Sequence, residues 1–306
     1  MPVVASSDMR DGKYVQKWCA TLKGDTPPPQ PCWSARELGR RGVQRSNASL
    51  GLVDALRIAA TDMRGQPIFP SEGGQDRWLW THHFHHLDRP PIYADFGSNQ
   101  ALHDSNTFFF DTCAGASSES LCVDAQRAVA PRFAAWRRCS FVHTCLSDRT
   151  RKVTFAMGGS FEGAATTSGV LEDNKSYKHG ARRAGEAHVN VQMTCTTGAA
   201  LFAARGLRHI DLLDLDAEGH EAAILQGIDW ANVTIDIILV EANNPAVTRL
   251  LVARSGYPRY RRFKVPGGDH GRLHRDDVFL REGFQLRQPP QSSGGAAERP
   301  PPLCEA

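Results

Sequence analysis

The chain predicts an α/β domain built on a mostly parallel, doubly wound sheet. Three observations carry this. Short apolar runs alternate with helix-like stretches through the middle of the 306 residues. That alternation is the pattern of βαβ units, with helices covering both faces of a sheet. The runs repeatedly end on an acid: Asp95 after Ile92–Ala94, Asp124 after Leu121–Val123, Asp148 just past Phe141–Leu146, Asp216 after Ile210–Leu215 and Glu241 after Ile235–Val240. Apolar residues make up 41% of the chain, enough at this length for a sizeable core.

Residues 1–74 are rich in Pro, Gly and Arg and read as an N-terminal extension, with one helix-like stretch at Leu50–Asp62. Residues 75–285 read as the domain, and residues 286–306, rich in Pro, Gly and Ser, have the composition of a disordered tail. No internal repeat is visible. The run Thr81–His86 (THHFHH) reads as an amphipathic helix ahead of the first strand. Its His82 and His86 share a face without implying a metal, and Trp78 and Trp80 pack it on the sheet. Further strands are expected at Val153–Met157, Val189–Met193 and Val278–Leu280. Helices are expected at Ser105–Thr112, Ala125–Arg137, Thr197–Arg205, His220–Ile228 and Ala246–Arg254. In the fourth, Ile224 and Leu225 share a face with Ile228. Residues 158–188 are polar and Gly-rich, a length that suits a lid or substrate loop. Their Lys175, Lys178, Arg182 and Arg183 suit either an acidic acceptor or plain solvent.

A net charge of +3 gives no field that favours nucleic acid or an anionic membrane. No stretch reaches the roughly 20 apolar residues of a membrane helix, and residues 1–10 lack the apolar core of a signal peptide. The eight cysteines form no C-x-x-C pair, which argues against a zinc module. Cys19 and Cys32, separated by a Pro-rich loop, are the expected bridge; Cys113, Cys122, Cys139 and Cys145 read as small buried apolar residues. Sequons at Asn47, Asn174 and Asn232, with the even cysteine count, lean toward a secretory lumen over the cytoplasm.

In a parallel α/β sheet, ligands bind outside the carboxyl ends of the strands. The strand-end acids therefore matter as a set, although each alone also suits a cap or turn. After Asp95, Gly97 lets the backbone approach a ligand closely. Ser98, Asn99 and Gln100 then stand where a G-x-G-x-x-G pyrophosphate cradle needs glycine, which argues against NAD or FAD. Asp124, at the next strand end, suits ribose hydroxyls or the N-cap of the helix from Ala125.

The segments Gln75, Asp95-Phe96-Gly97-Ser98-Asn99, Ser105-Asn106-Thr107, LCVDAQ, CSFVHTCLSD and, above all, Asp216-Ala217-Glu218-Gly219-His220-Glu221 resemble, in this order, the FkbM-type methyltransferases. The resemblance runs from about Gln75 to Glu282. It departs in Asp214, where the family often has Lys, and in GASSES, which replaces a Gly-Trp-x-Gly. It implies a Rossmann-like class I methyltransferase fold with S-adenosylmethionine (SAM) as cofactor, held by Asp95, Gly97, Asn99, Asn106, Asp124, Ser147 and Asp148. It also implies O-methylation of a sugar, glycan or similar small hydroxyl acceptor. An alcohol is a poor nucleophile at neutral pH and needs a base or a cation. Asp216, Glu218, His220 and Glu241 are the catalytic candidates. Asp216 and Glu218 with Asp214 or Glu241 would also suit Mg²⁺. An inactive methyltransferase-like binding module and an RNA methyltransferase are the competing readings.

Overall fold

The computed structural model describes residues 71, 73–101, 105–112, 116–157, 168–172, 189–241, 244–254, 256–265 and 274–287. Residues 1–70 of the expected N-terminal extension, the Cys19–Cys32 bridge, the basic residues of the 158–188 stretch and residues 288–306 of the expected tail lie outside these; Leu286, expected in that tail, is buried in the core.

Helix α1 (Gln75–His82) and a 3₁₀ turn (Phe84–His86) precede β1 (Tyr93–Phe96). Then come α2 (Phe108–Thr112), β2 (Leu121–Asp124), α3 (Ala130–Trp136), β3 (Ser140–His143) and β4 (Cys145–Leu146). After them follow β5 (Arg151–Met157), β6 (Gly169–Val170), β7 (Val189–Thr196), α4 (Gly198–Arg205) and β8 (His209–Leu215). The chain continues through α5 (Glu221–Gln226), β9 (Thr234–Glu241), α6 (Pro245–Arg254), β10 (Arg259–Val265) and β11 (His274–Leu280).

The main sheet has seven strands in the order β10-β11-β9-β8-β1-β2-β3. From β9 to β3 all neighbours are parallel, whereas β11 joins β9 and β10 antiparallel. The fold is thus mixed α/β with one large sheet, consistent with a Rossmann-like methyltransferase. Central strands β1, β2 and β8 are buried almost throughout because both faces of a parallel sheet are covered, and β8 takes Asp211 and Asp214 inside with it. One apolar cluster gathers Tyr93, Leu212 and Ile237 with Trp78, Phe110 and Phe133; another gathers Phe96, Leu213 and Ile238 with Phe202, Leu225 and Leu251. Neighbouring residues of one strand thus enter different clusters, as the alternation of side chains across a strand requires.

The expected Phe141–Leu146 strand divides. Residues up to His143 pair with β2 in the main sheet, whereas Cys145 and Leu146 pair with β7 in a second sheet, ordered β4-β7-β5-β6. A continuous apolar run does not show that its two halves serve different sheets. The THHFHH run divides as well: α1 stops at His82, whose ring Nδ1–H donates to the Trp78 carbonyl at 2.9 Å. Trp78 packs edge-on against Phe263 of β10, on the sheet as expected, whereas Trp80 packs against Phe109 of α2 instead of the sheet.

The cysteine reading is corrected. Cys122 is bonded to Cys139 and Cys145 to Cys195. The first bridge ties β2 to the entry of β3. The second joins residues that are register partners on β4 and β7.

Candidate active site

At the carboxyl ends of β1, β2 and β8 a cleft opens, with about 630 Å³ of empty space including its mouth. Gly97, Asn99 and Asp124 form one side, Asp216, Ala217, Glu218 and His220 another, and Phe155, Ser168 and Val170 of the second sheet a third. Main-chain hydrogen bonds stitch the strand ends together: Gly97 donates to the Val123 carbonyl at 2.9 Å and Asp216 to the Phe96 carbonyl at 3.0 Å.

Gly97 adopts φ +87°, and a Cβ there would stand 1.7 Å from the Asp216 carbonyl oxygen, so this crossing requires glycine. Asn99 (φ 37°) and Glu218 (φ 54°) also lie in the left-handed region, the two non-glycine residues among those described to do so. Both line the cleft. Strained backbone of this kind gathers at ligand sites because the surrounding structure must hold it in place.

Asp124 faces the cleft. Its carboxylate accepts the main-chain N–H of Asn99 at 2.7 Å and that of Gln126 at 2.6 Å. Burial pushes it up to about 6, against those two hydrogen bonds, which favour the charged form. A carboxylate offers about four acceptor positions, so positions remain for a ligand.

Asp216 is exposed where it opens onto the cleft. Desolvation first, then the charges of Glu241 and Glu218, hold it well above the ordinary carboxylate range. Glu241 ends β9, and ligand atoms of Asp216, Glu221 and Glu241 lie within 4.8 Å of one another. Among the described residues at this cleft, the carboxylates near enough to share a cation are these three; the trio anticipated from sequence held Glu218 and Asp214 or Glu241 beside Asp216.

Glu221 is the acid whose role the sequence did not disclose. Its Oε1 accepts the N–H groups of Ala217 at 3.0 Å and Gly219 at 2.8 Å, stapling the turn that carries Asp216 and Glu218. Burial, with Glu241 adding, raises it to about 7. Glu221 is the first residue of α5, and an acid at a helix start is favoured there while its side chain reaches back to amides of the preceding turn.

His220 lines the cleft but is 3% exposed, and its Nε2 shares a hydrogen bond with Ser147 Oγ at 3.1 Å. Ser147 in turn bonds Asp148 at 2.9 Å and accepts from Arg151 Nε at 3.0 Å. Ser147 and Asp148 thus stand behind His220 and outside the cleft lining. Asp148 is held below the usual carboxylate range: the Ser147 hydroxyl, Arg149 and Arg151 outweigh a desolvation that acts the other way.

Asp95 and Asn106 are placed differently from the expectation. Asp95 turns away from the cleft to accept from Thr107 Oγ1 and faces the Arg137 guanidinium at 3.9 Å. Desolvation, only partly offset by Arg137, raises it. The Asn106 amide donates to Asp214 at 3.2 Å. Asp214 itself is buried and pushed well up, by desolvation first and then by Asp95 and Asp276. Arg137, which the sequence reading passed over, is buried under this layer. Its guanidinium donates to Asp111 at 2.8 Å, Ser105 at 3.2 Å, Tyr93 at 3.0 Å and Thr107 at 2.6 Å. The loop and helix after β1 are therefore built around one charge. A basic pair directly after the apolar stretch at residues 133–136, in FAAWRRC, was the available signal.

No curated protein and no solved structure matches the chain. The family described as the Methyltransferase FkbM domain matches residues 95–260, from the first strand-end acid into β10. That match covers more than half of the 306 residues, and the chain belongs to the FkbM methyltransferase family.

Proposed function

We propose that the cleft binds SAM and that the protein is an O-methyltransferase acting on a hydroxyl of a sugar, glycan or similar small acceptor. The observation that carries this is Asp124. A carboxylate at the end of the second parallel strand, fixed by two main-chain N–H groups and facing the cleft, is placed to accept hydrogen bonds from a ribose diol. The glycine crossing at Gly97 suits a ligand lying against main chain, with no phosphate cradle beside it.

SAM, when bound, supplies an electrophilic methyl on a positively charged sulfur. The chain's own contribution is position and charge. The acids clustered at the carboxyl ends of β8 and β9, Asp216, Glu221 and Glu241, make that end of the cleft favourable to a sulfonium. Transfer to an alcohol needs the donor carbon and the acceptor oxygen close and in line, with the hydroxyl proton taken up by a base. Asp216, raised by its surroundings and open to the cleft, suits that proton. Glu218 and Glu241 flank it. His220, buried against Ser147, suits a positioning part on the cleft wall better than that of a base.

Titration calorimetry with SAM tests the cofactor: binding is expected for the native chain and a loss of tenfold or more for Asp124→Asn, on the order of 1–2 kcal/mol for hydrogen bonds to a charged group. Methyl transfer from labelled SAM to a panel of monosaccharides, glycans and RNA, with and without EDTA, tests the acceptor. Label confined to RNA would overturn the acceptor class. Absence of SAM binding would make the domain a methyltransferase-like binding module.

A further inference from the structure

Asn232 lies in the turn between α5 and β9, with Val233 buried and Thr234 exposed after it. This tripeptide has the N-x-[ST] pattern that accepts an N-linked glycan in secretory proteins. The turn holds without the Asn232 side chain. The N–H groups of Asn232 and Val233 donate to the Asp229 carbonyl at 3.1 and 3.0 Å, and Thr234 donates to the Arg208 carbonyl at 2.8 Å. The Asn232 amide makes one bond, to Asp229 Oδ2 at 2.7 Å, while Asp229 Oδ1 accepts the Ala231 N–H at 3.2 Å. A glycosylated amide keeps one N–H, so that bond survives modification. The turn also sits at the amino-terminal end of β9, whereas the cleft opens at the carboxyl ends of the strands; a bulky group there leaves the cleft open.

A second, independent observation concerns redox. Every cysteine among the described residues is disulfide-bonded: Cys122 with Cys139 and Cys145 with Cys195. Disulfides form and persist where the surroundings are oxidising, and the cytosol keeps thiols reduced.

We propose that this chain matures in an oxidising secretory compartment and carries an N-linked oligosaccharide on Asn232. In the transfer, Asn232 Nδ2 bonds to the anomeric carbon of an oligosaccharide carried on a lipid diphosphate. The bond from that carbon to the diphosphate breaks, the lipid diphosphate leaves with the bonding pair, and Nδ2 gives up one proton. The inference is independent of the cleft's chemistry.

Protein recovered from the cells that make it, digested without reduction and read by intact-glycopeptide mass spectrometry, tests it. The peptide spanning Asn232 is expected to carry an oligosaccharide, and the two disulfide-linked peptide pairs to appear in the same digest. Bare Asn232 throughout, or the four thiols alkylated without prior reduction, would overturn the proposal. Asn232→Gln made in the same cells should lose the glycopeptide and lower the intact mass by one oligosaccharide; an intact mass equal to that of the native protein, apart from the substitution, would overturn the proposal.

Discussion

Gly97 passes so close beneath Asp216 that a single added methyl would stand 1.7 Å from the Asp216 carbonyl oxygen. The strand-end acid of β8 and the turn after β1 are therefore one construction. Gly97→Ala also forces a side chain into φ +87°. Denaturant titration is expected to show a loss above about 3 kcal/mol, or no folded protein at all. Gly227→Ala, whose Cβ would stand 2.1 Å from the Ser147 carbonyl oxygen, should be similarly severe.

Arg137 is the second prediction. Its guanidinium is fully buried and joined to Asp111 at 2.8 Å. Arg137→Met leaves the Asp111 and Asp95 carboxylates buried without their cation and should cost about 3–5 kcal/mol. Arg137→Lys should recover little of this, because an ammonium cannot reproduce the planar fork that reaches Tyr93, Ser105, Thr107 and Asp111 together. Denaturant midpoints of the two variants give the comparison.

The third prediction concerns pH. Asp76 and Glu221 are raised to about 7 and Asp124 to about 6, each chiefly by burial, and Asp95, Asp214 and Asp216 are raised as well. An acid raised in the folded state binds more protons folded than unfolded between its two pKa values, so stability falls as pH rises through that window. His83, lowered to about 4, and His85, lowered as well, act the opposite way, because burial disfavours their charge. The raised acids outnumber them. The ligand-free protein is expected to lose Tm steadily from about pH 5 to about pH 7. A flat or rising profile across that range would refute the acid-dominated balance.

The fourth concerns the cleft wall. Phe155, Ser168 and Val170 reach the cleft from the second sheet, and the Cys145–Cys195 bridge ties β4 to β7 within that sheet. Cys195→Ser should lower stability by about 2–4 kcal/mol. It should also weaken SAM binding measured by calorimetry, whereas opening Cys122–Cys139, which links strands away from that wall, should leave the affinity nearly unchanged.

Some of this architecture is legible in the chain and some is not, for physical reasons. The central strands were readable because burial on both faces makes them largely apolar, β8 with its buried Asp211 and Asp214 being the exception, and the alternation with helices fixes the fold class. Strand β10, Arg-Tyr-Arg-Arg-Phe-Lys-Val, escaped because an edge strand carries charge on its open side. The disulfides escaped because Cys122 and Cys139 meet only once β2 and β3 are known to be neighbours, and Cys145 and Cys195 only through the register of β4 and β7. At the site, Asp124 and Asp216 were found as strand-end acids and do share one cleft. Asp95 obeys the same rule yet turns toward Thr107 and Arg137, since a strand end fixes where a residue lies and leaves its rotamer to its neighbours.

Strand β11 lies between β9 and β10, although it follows both in the chain. While the ribosome is still making residues 274–280, β9 has a bare flank and β10 has no partner to join. Nascent chains halted at that stage expose an apolar strand, Ile-Asp-Ile-Ile-Leu-Val, along its hydrogen-bonding edge. Completion of the sheet waits on β11, the final strand among the described residues, and chaperone demand should peak just before it emerges.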